Sequence, residues 1–338
     1  MRFGFMLLPR GLGETREVAR SGEASGFEWM GIADSPTVYQ ESYLHQLEAA
    51  RQTERIRIGP VASHVVARHP VIVANLLATL NEFSDGRGMA ALATGNSAAR
   101  GLGLKPATVA ELRQGVEAIR AYWRGEGAEY SSVTYPNSSI PATGLARDPG
   151  RLLVAADGPK AASLAGEIGD GLLYGGTLEP DTVRRRFEAG RRRQGQEVWV
   201  GPSVSVRDTL EEVRDELGAM IIAMANRAFR GDLDERNVPA DIQADVRQMW
   251  ERYDYAFHAD SKRPQNVEIV TPALSEYLIE HFCIWGSAER WRERLDWLSG
   301  LDCDGVMFIL GQSDQAEAVR EIGARLAELG LTETMASR

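Results

Sequence analysis

Short apolar runs of β-like composition alternate with stretches of helical periodicity along almost the whole of this 338-residue chain. The runs fall at residues 3–8, 29–33, 56–62, 88–93, 152–155, 171–174, 198–204 and 305–310. Helical spacing occupies 14–25, 43–53, 70–83, 109–124, 161–168, 180–194 and 315–329. Regular strand-then-helix order with right-handed crossovers makes a parallel sheet, and eight such units close it into a barrel. The expected fold is α/β, a (β/α)8 TIM barrel formed by one domain over residues 1–338. An open doubly wound sheet is the competing fold, but no GxGxxG turn follows the first run.

Two intervals break the rhythm. Residues 207–300 separate the seventh and eighth runs by far more than one helix, and their composition is helical and polar. This reads as a helical insertion between the seventh and eighth strands, placed to roof a site at the carboxyl ends of the barrel. The alternative is a helical pair that buries only its own apolar stripes or serves a dimer contact. Residues 125–146 read as a hairpin or loop.

Residues 152–176, LLVAADGPKAASLAGEIGDGLLYGG, compress a strand, a glycine turn, a helix and a second strand into one short unit. Backbone N–H groups opening that helix, together with its dipole, favour an anion beside Asp157-Gly158-Pro159. An ordinary strand-to-helix turn is the plainer reading.

A net charge of −10 argues against nucleic acid and anionic membranes as main partners. The basic triplets at 184–186 and 191–193 read as a helix face. Cys283 and Cys303 lack the spacing of a zinc site or disulfide framework and read as core, which suits a reducing cytoplasm. The apolar start is too short for a signal peptide, and no window approaches a membrane span. No His/Asp/Glu grouping has metal-ligand spacing, and no Gly-x-Ser-x-Gly elbow is present.

The segment GPVASHVVARHPVIVA at 59–74, with the Ser84-Asp85-Gly86-Arg87 turn, GLGLKPA at 101–107, and the Gly158-Pro159-Lys160, Leu164-Ala165-Gly166 and Asp170-Gly171 run, resembles the bacterial luciferase-like superfamily. The similarity is to the branch containing methylenetetrahydromethanopterin reductase and other coenzyme F-420-dependent oxidoreductases. It covers most of residues 1–205 and returns at 281–310.

That resemblance implies a barrel binding a flavin or deazaflavin, with coenzyme F-420 the expected cofactor and FMN the alternative. It implies a non-proline cis peptide at Val61–Ala62 beneath the ring, with Ser63 and His64 following it among the cofactor-binding residues. Thr94, Gly95, Asn96 and Ser97 would lie near the side chain, and Ala156, Asp157, Gly158, Pro159, Lys160, Gly175 and Gly176 at the phosphate. Asp34 matches a polar contact to the ring; a helix N-cap role for Asp34 or Ser35 is the alternative. Sugar-phosphate dehydrogenases of the family place a catalytic histidine where Ser35 stands and an acid where Asn96 stands, so that proton-transfer scheme does not carry over.

His64 and Asp34 are the expected catalytic residues, His64 because an imidazole near the reacting edge exchanges protons near neutral pH. His69 reads as capping or packing. Tyr255, Phe257 and His258 are the expected substrate contacts. The resulting expectation is hydride transfer between coenzyme F-420 and a small organic substrate, in a cytoplasmic homodimer. The alternatives are a monooxygenase using reduced FMN from a flavin reductase partner, or a cofactor-binding barrel without turnover.

Overall fold

The computed structural model describes residues 1–131, 133–135, 150–260 and 263–332. Its framework is a nine-strand, all-parallel path in the order β3, β2, β1, β13, β10, β9, β8, β5, β4. The strands are β1 (Arg2–Leu7), β2 (Trp29–Ile32), β3 (Arg57–Pro60), β4 (Ser63–His64), β5 (Met89–Ala93), β8 (Arg151–Ala156), β9 (Gly171–Tyr174), β10 (Glu197–Val200) and β13 (Gly305–Ile309). The two ends of the path, β3 and β4, are consecutive in the chain on either side of Val61–Ala62, whose peptide bond is cis. An Ile58–Gly88 bridge and the β4–β5 pairing bring the path round into a nearly closed barrel.

Strand periodicity assigns the two faces. Phe3, Phe5, Leu7, Met30, Ile32, Ala90, Leu92, Leu152 and Val154 pack in the outer core with α1 (Leu12–Ala24), α2 (Ser42–Gln52), α3 (Pro70–Phe83) and α5 (Val109–Arg124). The same core takes in α6 (Pro159–Ile168), α7 (Pro180–Gly190), α11 (Ala288–Ser299) and α12 (Gln315–Glu328). The intervening Trp29, Met89, Ala91, Leu153, Leu173, Trp199 and Met307 belong to a second core inside the barrel, as the alternation of side chains along a strand requires. Trp29 and Trp199 meet edge to face there, 5.2 Å between ring centroids.

All eight expected strands are present, with local differences. The third run, 56–62, ends as β3 at Pro60, and a further strand, β4, starts at Ser63 just past the expected end. The seventh is split into β10 and β11 (Ser203–Val204) by Gly201-Pro202, where proline has no N–H for a ladder bond. Two elements were not anticipated: α4 (Asn96–Gly101) and β12 (Cys283–Ile284), which pairs β11. Between β11 and β13 the chain forms α8 (Leu210–Ala228), α9 (Ala240–Arg252), α10 (Pro272–Phe282), β12 and α11. A hairpin of β6 (Ala128–Tyr130) and β7 (Val133–Tyr135) occupies the start of the 125–146 interval; residues 132 and 136–149 lie outside the described residues.

The basic triplets do not form one helix face. Arg186 is 2% exposed, with Nη2 bonded to both Glu235 carboxylate oxygens, and residues 191–193 lie beyond the end of α7 at Gly190. Cys283 and Cys303 are buried, and burial pushes both thiols up, Cys303 to about 12. No helix among the described residues is long and apolar enough to cross a membrane.

Candidate active site

At the carboxyl ends of the strands lies a cavity of about 420 Å³. Val61, Ala62, Ala93, Ala155, Leu173 and Ile309 give it an apolar lining, and Met220, Ala223 and Met224 of α8 face it from the other side. The alanines in this apolar lining leave room for a flat ring, with orientation left to a few polar groups.

Asp34 follows β2 and is 4% exposed. It caps no helix; Arg68 donates from Nε to Oδ2 at 2.8 Å and from Nη2 to Oδ1 at 2.9 Å, while the Ser63 hydroxyl donates to Oδ2 at 2.7 Å. Arg68 also reaches Glu41 at 2.8 Å and lies over the Tyr43 ring. Asp34 is therefore a paired acceptor at the cavity wall, and Ser63 stands behind it rather than lining the space.

His64 is 1% exposed and lines the cavity. Its Nδ1 accepts the Ala67 N–H at 3.3 Å, which places the proton of the neutral ring on Nε2, and Nε2 has no hydrogen-bond partner. Burial lowers its pKa, with Asp34 opposing and Arg68 assisting. A buried donor without an acceptor is costly, so this one is poised for a group brought in from outside. Gly95 makes that position possible: its φ of 82° suits glycine, and a Cβ there would lie 2.9 Å from the His64 Cβ.

After Gly95, α4 opens with Asn96 and Ser97; Thr94, Gly95, Asn96 and Ser97 all line the cavity. The Ser97 and Ser35 hydroxyls pair at 2.8 Å. Neither Ser35 nor Asn96 offers a proton that titrates near neutral pH.

On the opposite side, β8 ends at Ala156, Asp157 follows, Gly158 is the N-cap of α6, and Pro159 takes the first helical position. Ala156, Asp157, Gly158 and Gly175 line the cavity; Pro159 and Lys160 are exposed outside it. Gly176 lies against Tyr174, whose hydroxyl would be 2.4 Å from an added Cβ. Arg227 donates from Nε to Asp157 at 2.7 Å and from Nη2 to the Gly175 carbonyl at 2.8 Å. Arg236 lies 3.8 Å from where a Gly158 Cβ would stand, and Arg186 donates to the Asp157 carbonyl at 3.1 Å. The helix terminus and the excess of the Arg186, Arg227 and Arg236 guanidiniums over the Asp157 and Glu235 carboxylates make this end cationic.

His258 borders this cavity and a second of about 680 Å³ lined also by Tyr39, Ser97, Tyr255 and Asp260. Its Nδ1 is 2.6 Å from the Tyr253 hydroxyl, its ring stacks on Tyr255, and burial pushes its pKa down to about 4. Phe257 lines neither cavity and lies under the Arg263 guanidinium. His69 is the N-cap of α3, accepting from the Val71 N–H at 3.3 Å.

Sequence reasoning missed Tyr39, Arg100, Arg227, Arg230 and Arg236, all on the lining. The one available signal was the pair of arginines, Arg227 in the last turn of a long helix and Arg230 just past its end. Among the described residues no group of three or more His, Cys, Asp or Glu side chains is arranged to hold a metal ion.

Fold and site together define a parallel α/β barrel with a cavity, cationic at one end, at its strand carboxyl ends. The luciferase-like monooxygenase family matches residues 1–328, and the chain belongs to that family. A 5,10-methylenetetrahydromethanopterin reductase from Archaeoglobus fulgidus is 26% identical over 58% of this chain and 60% of its own length. A coenzyme F-420-dependent glucose-6-phosphate dehydrogenase from Nakamurella multipartita is 27% identical over 57% of this chain and 64% of its own length. The chain thus spans less than two thirds of these relatives. Among solved structures, the coenzyme F-420-dependent tetrahydromethanopterin reductase from Methanopyrus kandleri superposes with a TM-score of 0.70 at 19% identity, covering 97% of this chain and 99% of that one. A monooxygenase from Streptomyces bottropensis gives 0.66 at 18% identity, covering 98% of this chain and 100% of that one.

Proposed function

We propose that this protein is an oxidoreductase that transfers hydride between coenzyme F-420 and a small organic substrate. The observation that carries the reading is the unpartnered Nε2–H of His64 in an apolar cavity whose other end is cationic. A cofactor with a flat ring and an anionic tail fits both ends: alanines and Val61 at the ring, Gly158 and the start of α6 at the phosphate. The curated relatives that depend on this coenzyme support the assignment. When bound, the deazaflavin supplies or accepts the hydride.

His64 would donate a hydrogen bond from Nε2 to a group bound in the cavity, and its imidazole would carry a proton there. Asp34, fixed by Arg68 and Ser63, holds the polar side of the ring rather than exchanging protons. His258 and Tyr255 position the substrate from the larger chamber. Residues 207–300 act as a helical insertion that covers the mouth and excludes water. Exposed Leu44 and Ile72, on neighbouring helices α2 and α3, support a homodimer, and the acidic, cysteine-poor chain suits the cytoplasm.

The second reading, a monooxygenase using reduced FMN from a flavin reductase, is favoured by Ser35 and Asn96, which leave the cavity without those two proton donors. An anaerobic titration with coenzyme F-420 and with reduced FMN, followed by admission of oxygen in the presence of substrate, separates the two. Tight binding of the deazaflavin and its oxygen-independent reduction or oxidation by substrate supports the first. Selective binding of reduced FMN with oxygen consumption on adding substrate overturns it.

A further inference from the structure

Arg100 of α4 and Arg230, two residues beyond α8, both line the 420 Å³ cavity and both remain exposed. Neither has a carboxylate partner among the described residues. Each is instead oriented by an asparagine: Arg100 Nε donates to Asn96 Oδ1 at 3.0 Å, and Arg230 Nη2 to Asn226 Oδ1 at 2.7 Å. The two asparagines meet at one hydroxyl. Asn226 Nδ2 donates to the Tyr255 oxygen at 3.2 Å, and Tyr255 in turn donates to Asn96 Oδ1 at 3.4 Å.

An amide orients a guanidinium without neutralising it. Arg227 differs, since Asp157 balances its charge at 2.7 Å, and Arg236 shares the Glu235 carboxylate, at 3.7 Å, with Arg186. Arg100 and Arg230 therefore present uncompensated charge to one space, in a protein whose net charge is −10. Partial desolvation at the cavity edge lowers the pKa of Arg230, Tyr255 opposes that and the charge on Arg100 adds to it, while the guanidinium stays charged at neutral pH. Like charges held on fixed supports at a cavity edge are stabilised by an anion between them, and guanidinium forks match phosphate and carboxylate oxygens.

We propose that Arg100 and Arg230 form a two-armed clamp for a phosphate or carboxylate entering the cavity, with Tyr255 setting the spacing of the arms. The proposal rests on reading this cavity as the cofactor and substrate site. The anion belongs either to the tail of the cofactor or to an acidic substrate, and the chemistry of the clamp is the same for both.

The test uses Arg100→Gln and Arg230→Gln, which keep a donor toward the asparagines and remove the charge, beside Arg100→Lys and Arg230→Lys, which keep the charge. In one arm, fluorescence titration compares coenzyme F-420 with its deazaflavin core lacking phosphate and tail. In the other, orthophosphate and citrate are titrated calorimetrically into the protein alone at low ionic strength. Loss of the preference for the tailed cofactor in the glutamine variants, by about tenfold or more with affinity for the core unchanged, places the anion on the cofactor. Loss of orthophosphate or citrate binding with that preference intact places it on the substrate. In either case the lysine variants should retain most of the wild-type behaviour. Glutamine variants that match wild type in both arms overturn the clamp, as does a wild type that shows neither effect. If wild type binds no flavin or deazaflavin, the cofactor reading falls while the calorimetric arm still decides the clamp.

Discussion

Arg68 closes on both carboxylate oxygens of Asp34, at 2.8 and 2.9 Å, with Asp34 4% exposed and the Arg68 side chain 16% exposed. Removing one partner of such a pair strands a buried charge, a loss of about 3–5 kcal/mol. Arg68→Ala should lower stability by that order in urea denaturation, and adding Asp34→Asn should recover a large part by removing the stranded charge. A single variant as stable as wild type would show that water reaches Asp34 freely.

His64→Gln should cut turnover by about 10²–10⁴-fold while cofactor affinity changes little, because glutamine donates a hydrogen bond but does not titrate near neutral pH. Burial holds the folded-state pKa of His64 below the ordinary 6.5, so the wild-type ring is neutral above that pH. Any acid limb due to His64 in the pH–rate profile should lie below 6.5 and vanish in the variant. Steady-state kinetics across pH checks both points.

Gly158 separates backbone from side-chain requirements at the anion end. Gly158→Ala should fold and bind cofactor, since the added Cβ meets only Arg236 Nη2 at 3.8 Å. Gly158→Glu sets a carboxylate beside that guanidinium and should weaken cofactor binding by about tenfold or more. Fluorescence titration measures the binding, with far-ultraviolet circular dichroism confirming that both variants fold.

His258 gives stability an acid limb. Its folded pKa, about 4, lies below the unfolded 6.5, so between those values the unfolded chain binds more protons. The stabilisation is complete above 6.5 and is lost as pH falls toward 4, with a slope from this group of at most about 1.4 kcal/mol per pH unit. His258→Gln should flatten the loss between pH 6.5 and 4 in denaturant melts. An unchanged slope would mean the imidazole is solvated in the folded protein.

The sequence by itself determined the barrel, because strand and helix periodicities are local: alternation at Phe3, Phe5 and Leu7 sets an outer face wherever the strand ends up. It also determined the Gly158-Pro159 turn that opens α6, settled within a few residues of chain, whereas His69 reads as capping or packing until the structure shows it capping α3. Only the tertiary structure decided what those elements present to the cavity. Asp34 reads as a ring contact or a helix cap until Arg68, 34 residues away, takes both its oxygens. Asp157 reads as a turn residue until Arg227, 70 residues away, balances it, and Asn96 meets Tyr255 across 159 residues. Such partners are chosen by closure of the barrel and the path of residues 207–300, and a hydrogen bond a few ångströms long leaves no periodic trace in the chain that makes it.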